Sequence, residues 1–256
     1  MPVQQAIQWQ ISVKAMSPGA IDMVKVIALT AMLLDHLNIL FLHPPLPELY
    51  ALGRMVFPVF VIIWALNLSH NPASLQARAN RLWIWALIAQ APFWLAFRHL
   101  HPWYALNILF VFAGVTQLVA LSHRYGVRGG LGGLIILAAL ACPLVPASYG
   151  SAGLVFAAAL VVLFSPVSQK RCIRLTAIIT AAGALFSLNG ITHLTERPLD
   201  TLIIAILPTL ILPFVGIWLA IQLKPAGSRR FMPSRFFYHA YAGHLLLLAV
   251  CRIFLD

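Results

Sequence analysis

Charge is scarce in this chain. Only 9% of its 256 residues are Asp, Glu, Lys or Arg, against about 25% in soluble domains. With 61% hydrophobic residues and a mean hydropathy of +0.90, that scarcity excludes a soluble globular domain and indicates a polytopic membrane protein. Cysteine is nearly absent too. Three residues, Cys142, Cys172 and Cys251, form an odd set with no CxxC spacing, so neither a disulfide framework nor a metal site is expected. Walker A, HExxH, GxSxG and GxGxxG signatures are missing, as are an internal repeat and a low-complexity linker. The N-terminus does not read as a cleavable signal peptide, because residues 1–21 are mixed and polar and the apolar run that follows is too long for an h-region.

What the chain does carry is a net charge of +11, and the positions of the basic residues give it meaning. They fall in short loops between apolar segments, and no basic domain is available to receive a nucleic-acid backbone. Apolar runs near membrane length lie at 23–42, 50–68, 82–98, 104–121, 130–146, 150–165, 173–190, 201–222 and 236–255. The fold expectation is therefore all-α, with about nine transmembrane helices (range eight to ten). With the N-terminus inside, thirteen Lys and Arg residues face the cytoplasm, three (Arg98, Arg197, Arg252) face outside, and Arg54 falls within a span. That asymmetry follows the positive-inside rule and predicts N-in and C-out. Residues 1–21 read as a cytoplasmic segment and 22–256 as one transmembrane domain. The runs at 130–146 and 150–165 are expected to form a tight hairpin, and Pro208 and Pro213 together predict a kink or unwound turn in the eighth run.

Ionisable residues inside hydrocarbon cost about 2.5–3.5 kcal/mol each on insertion scales and need a reason to be there. The first run holds Lys25, Asp35 and His36. Lys25 and His36 are eleven residues apart, or about 20° past three helical turns, which places them about 16 Å apart on one stripe. Arg54 in the second run and Asn107 in the fourth are expected at a depth similar to that of Asp35 and His36. Asp35 can pair with Arg54 as a packing strut or hold the His36 imidazole; the near-perpendicular directions of consecutive helical residues favour the strut. In the last run, Tyr238, Tyr241 and His244 recur on one face, with Tyr238 and His239 read as an interfacial aromatic belt. The stretch GVRGGLGG (126–133) reads as a turn with close helix packing, since it lacks the Lys-Ser/Thr of a phosphate loop.

These residues, in this order, carry a resemblance. The runs DMVKVIALTAMLLDH (22–36) and GRMVFPVF (53–60), then Arg78, Arg81-Leu82, Asn107-Ile108-Leu109 and FFYHAYAGHLLLL (236–248), resemble the TraX family over nearly the whole chain. That family consists of membrane proteins of F-type conjugation systems that acetylate the pilin N-terminus. The final motif departs from the family's tyrosine-proline-alanine-histidine step: Tyr241-Ala242-Gly243-His244 lacks the proline and keeps the histidine. More distantly, Lys25-x10-His36 is similar to the basic-x10-His pattern of acyltransferase-3-type membrane acyltransferases, whose histidine is regarded as catalytic and whose basic residue contacts acyl-CoA.

The resemblance implies a bacterial inner-membrane N-acetyltransferase with acetyl-CoA as cosubstrate, no metal, and a pilin or other membrane-embedded amine as acceptor. His36 would be the general base, with Asp35, Arg54, Asn107 and His244 around it. Asn107 or Arg54 would supply oxyanion donors, and Lys25, Arg78 and Arg81 would meet the CoA phosphates. Two other classes remain: a proton-coupled transporter, which also needs intramembrane Asp, His and Arg, and a non-catalytic pilus-assembly subunit.

Overall fold

A computed structural model describes residues 16–69, 74–166, 170–189, 194–224, 227–233 and 235–255. Lys14 and the rest of 1–15 lie outside the described residues. Among the described residues the structure is all-helical with no strand: α1 (Pro18–Phe41), α2 (Pro47–Gly53), α3 (Val56–Ser69), α4 (Leu75–Phe97), α5 (Leu109–Leu144), α6 (Gly150–Phe164), α7 (Arg171–Ser187), α8 (Pro198–Leu223) and α9 (Phe236–Leu255). Helix α1 starts inside the segment expected to precede it. The reason is local: Ser17 accepts from the Ala20 N–H at 3.2 Å and Pro18 occupies the first helical turn, a favoured start.

By length and apolarity, five helical stretches of the described residues qualify as membrane crossings: Pro18–Phe41, Pro47–Ser69, Leu109–Leu144, Pro198–Leu223 and Phe236–Phe254. This is fewer than the nine expected from the apolar runs, although every run is helical over most of its length. Part of the difference lies in α5, a 36-residue stretch that is two antiparallel rods. Gly126 has φ 60° and ψ −136°, a conformation that L side chains avoid. Beyond it the chain folds back. The Leu106 N–H donates to Pro143 O at 3.1 Å, a Cβ on Gly114 would meet Leu140, and Cβ atoms on Gly133 and Gly129 would meet Leu118 and the Leu121 carbonyl. The glycine-rich stretch is thus a turn with close helix packing.

Helix α3 is the hub. It touches α1, α5, α6 and α8, and Phe57, Val59, Phe60, Val61, Ile62 and Ile63 are all buried. Around it α9 packs on α4 and α1, while α7 packs on α6. The outward faces are apolar, with Leu131, Ile135, Ile179 and Trp218 more than half exposed, as a lipid-facing surface requires.

Two departures from regular helix position the site. Asn38, fully buried near the end of α1, grips the next segment with its amide: Nδ2 donates to Leu46 O at 2.9 Å and Oδ1 accepts from Leu46 N at 2.7 Å. This sets where α2 begins, and so brings the α2–α3 break at Arg54 opposite Asp35. In α8, Thr201–Ile206 forms a π turn just before Pro208, the unwound turn that two prolines predict. Pro208 has no N–H to continue the ladder, and the Thr209 hydroxyl donates instead to Ala205 O at 2.7 Å.

The turn at Gly126 is open to a direct check. Gly126→Val should lower stability by about 1–3 kcal/mol, read from the SDS-unfolding midpoint in detergent. Gly132→Ala, whose added Cβ meets nothing within 4 Å, should be neutral or slightly stabilising.

Candidate active site

A cavity of about 100 Å3 opens among α1, α3, α5 and α9, lined on its polar side by Asp35, His36, Ser148, Tyr149 and Tyr241 and on its apolar side by Phe57, Phe60 and Phe112. His36 and His244 meet there, with Nδ1 of the first 3.1 Å from Nε2 of the second and their rings stacked at 5.2 Å. The tautomers follow from one carbonyl. His244 Nδ1 lies 3.2 Å from Ala240 O, which can only accept, so Nδ1 carries the proton. In the neutral pair, His244 Nε2 is then the acceptor, His36 Nδ1 the donor, and His36 Nε2 is left with the lone pair. The His36 ring is held edge-on to Phe97 at 5.0 Å. His101, in the loop after α4, stacks near Phe93 and Phe97, and its burial holds the imidazole below its ordinary value.

Asp35 does not hold the imidazole; it is the strut. Its Oδ2 pairs with Arg54 Nη2 at 3.3 Å, and the pair continues outward: Arg54 Nη1 donates to Asn189 Oδ1 at 3.0 Å, and Asn189 Nδ2 donates to Thr209 Oγ1 at 2.8 Å. The guanidinium also lies 4.1 Å over the Tyr50 ring. Gly53 makes the approach possible, since a Cβ there would fall on the Asp35 carboxyl group. The second carboxylate oxygen, Asp35 Oδ1, is buried without a hydrogen-bond partner among the described residues.

A second cavity, of about 300 Å3, adjoins the first. Lys25, Arg78, Arg81 and Arg230 line it together with Asn67 and Trp64. Phe60, Leu109, Phe112 and Phe237 line both cavities and form the wall between them. Lys25 is steadied by Asp22 at 3.1 Å, and Arg78 donates to Asn67 O at 2.6 Å. Arg230 arrives on a strap before α9. Fully buried Asp22 accepts from the Phe231 and Met232 N–H groups at 3.1 and 3.0 Å, and Gly19 N donates to Ser228 O at 3.0 Å. The buried Trp64 indole N–H has no partner among the described residues.

The sequence-based site residues therefore divide into three sets. Asp35, His36, Arg54 and His244 come together, and Lys25, Arg78 and Arg81 gather at the neighbouring cavity. Asn107 belongs to neither. Its Nδ2 donates to Ala86 O at 2.8 Å and Gln90 Oε1 at 2.9 Å, while its Oδ1 accepts from Leu109 N at 3.0 Å. Both amide hydrogens are spent on joining α4 to the start of α5, which leaves none for an oxyanion. Tyr241 lines the His36 cavity, Tyr238 lines the cationic one, and His239 sits edge-on to Trp85 at 4.6 Å.

Sequence reasoning missed Tyr149, Asn189 and Arg230. Tyr149 holds a left-handed conformation (φ 66°) at the start of α6, stacked on Phe57 at 4.7 Å, and such strain in a non-glycine residue is characteristic of functional sites. Its signal was the polar step Ser148-Tyr149-Gly150 between two apolar runs. Asn189 lies at the end of the seventh run without a distinguishing pattern, and Arg230 was one of many basics expected on the cytoplasmic side.

Comparison with known proteins finds relatives over nearly the whole chain. A family model described as TraX protein matches residues 20–252. Two relatives, each named Protein TraX, from Escherichia coli and from Escherichia coli (strain K12), are 35% identical over 246 residues, covering 96% of this chain and 92% of the relative. No solved structure matches. The chain belongs to the TraX family.

Proposed function

We propose that this protein is a membrane-embedded acetyltransferase that moves an acetyl group from cytoplasmic acetyl-CoA to an amine, the N-terminus of a pilin subunit being the acceptor the family resemblance favours. The observation that carries the reading is the pairing of two cavities through one aromatic wall, with four cations in one and a histidine with a directed lone pair in the other. Cations at the entrance suit the phosphates of CoA. The stripe from Lys25 to His36, about 16 Å long on a straight helix, gives the pantetheine arm a path along α1 towards His36. The setting is a bacterial inner membrane crossed nine times, the N-terminus inside, so that donor and acceptor reach the site from opposite faces.

In the transfer, the acceptor nitrogen attacks the thioester carbonyl, the N–C bond forms and the C–S bond breaks. His36 Nε2 takes the proton from the nitrogen and returns it to the departing thiolate, which leaves as CoA thiol. His244 accepts from His36 Nδ1 and stabilises the imidazolium by its orientation, the role a carboxylate plays in other histidine-based sites. Asp35 Oδ1, buried and unpartnered, supplies an acceptor for an N–H of the incoming amine. Arg54, neutralised by Asp35, fixes the carboxylate and stays within reach of developing negative charge.

Acetyl-CoA-dependent transfer to pilin, followed by CoA-thiol release and pilin mass, tests the reading in native membranes. His36→Ala should cut kcat by about 10²–10⁴-fold without loss of expression; full retained transfer would remove the base assignment. Lys25→Ala should raise the KM for acetyl-CoA by about tenfold, the loss expected for one charge-assisted contact, with a smaller change in kcat. An unchanged KM would take Lys25 out of the CoA site. Wild-type protein that neither binds nor cleaves acetyl-CoA would turn the assignment towards a proton-coupled transporter.

A further inference from the structure

The His36 cavity has an end wall whose position limits what the site can hold. Phe57 forms part of it and does not touch the cationic cavity. The ring is almost fully buried, stacked on Tyr149 at 4.7 Å and tilted against Phe112 and Phe156 at 6.3 and 6.1 Å. On α6, Gly153 faces the Phe57 ring tip, and a Cβ there would stand 3.4 Å from it, in van der Waals contact. A third cavity of about 350 Å3, almost wholly apolar, is lined by Pro58, Ile62, Phe156, Leu160, Pro213 and Phe214. Pro58 and Phe156, two of its lining residues, are respectively the chain neighbour and a ring partner of Phe57.

Size decides what this arrangement does. A dry protein cavity of about 150 Å3 accepts benzene, so each heavy atom needs about 25 Å3. The space beside His36, about 100 Å3, then takes about four heavy atoms. An acetyl group and the attacking nitrogen are four: methyl carbon, carbonyl carbon, carbonyl oxygen and nitrogen. A longer acyl chain needs the volume that the Phe57 ring fills, and Phe156, against which that ring packs, borders the apolar space.

We infer that Phe57 is the specificity-determining residue for acyl length: its ring fills one side of the His36 cavity and restricts the enzyme to short acyl groups. The inference rests on the acyl-transfer reading above. Phe57 touches no reacting group in this role; it acts by occupying the volume a longer chain would need.

The test compares acetyl-, butyryl- and octanoyl-CoA as donors to the same pilin acceptor in membranes containing the full chain. Wild-type protein should prefer acetyl-CoA over butyryl-CoA by at least about tenfold in kcat/KM, the discrimination methylenes produce in a closed pocket, and octanoyl transfer should be undetectable. Phe57→Ala should reduce the acetyl-to-butyryl ratio by about tenfold or more and make octanoyl-CoA a substrate. Phe57→Leu, a smaller change that keeps an apolar plug, should admit butyryl and still exclude octanoyl, and it carries the test if the alanine variant fails to accumulate. A wild-type enzyme that transfers octanoyl as readily as acetyl, or variants that transfer acetyl with an unaltered length profile, would overturn the inference while leaving acyl transfer standing. Wild-type protein inactive with all three donors would overturn the acyl-transfer reading itself and this inference with it.

Discussion

The pairing of Asp35 with Arg54 is the constraint around which the rest of the site is organised. Each charge alone inside an apolar bundle is costly, and the pair is tolerable only when geometry and further hydrogen bonds are supplied. The structure supplies them from four helical segments: the carboxylate from α1, the guanidinium from the α2–α3 break, and Asn189 and Thr209 from the end of α7 and from α8. Because the partners lie far apart in sequence, satisfying Arg54 fixes the relative placement of these segments. The π turn in α8 adjoins the same arrangement, since Thr209, which receives Asn189, donates its hydroxyl back to Ala205 O within that turn. Among the described residues, Asp35 Oδ1 and Arg54 Nε are both buried outside this network, and in a bundle this economical with polar groups such exceptions mark a place meant for something else.

The two polar cavities divide the work by charge. Cations gather where an anion would arrive, and their own anchoring differs. Lys25 is steadied by a buried carboxylate, Arg78 by a backbone carbonyl, and Arg230 by a strap whose N–H groups Asp22 holds. At the other cavity a histidine pair replaces the usual carboxylate–histidine arrangement, and its polarity is set by the single carbonyl of Ala240. A neutral orienting partner introduces no second buried charge beside Asp35 and Arg54.

Much of this was legible in the sequence, and the failures have a common cause. Charged residues within apolar runs are conspicuous because hydrocarbon makes them expensive, so Lys25, Asp35, His36 and Arg54 stood out, and helical periodicity placed Lys25 and His36 on one stripe. His244 was visible as the deepest polar residue of the last run. Periodicity gives depth and relative direction within one helix, but not the rotation of one helix against another. That is why Asn107, at a suitable depth, was expected at the site while its amide is turned to α4. Asn189 and Tyr149 sit at helix ends, where polar residues are ordinary, and only three-dimensional packing shows that they reach inward. The reversal at Gly126, by contrast, was legible as a glycine-rich turn between two apolar runs, and small residues face leucines across the hairpin.

The contact between His36 and His244 joins residues 208 positions apart, and the strap held by Asp22 joins residues 209 and 210 apart. The first depends on α9 and the second on the strap just before it. A growing chain therefore inserts α1 long before either of its polar anchors exists, and His36 waits without its ring partner until α9 emerges. A protein truncated before α9 would enter the membrane with its charges in place and its histidine undirected.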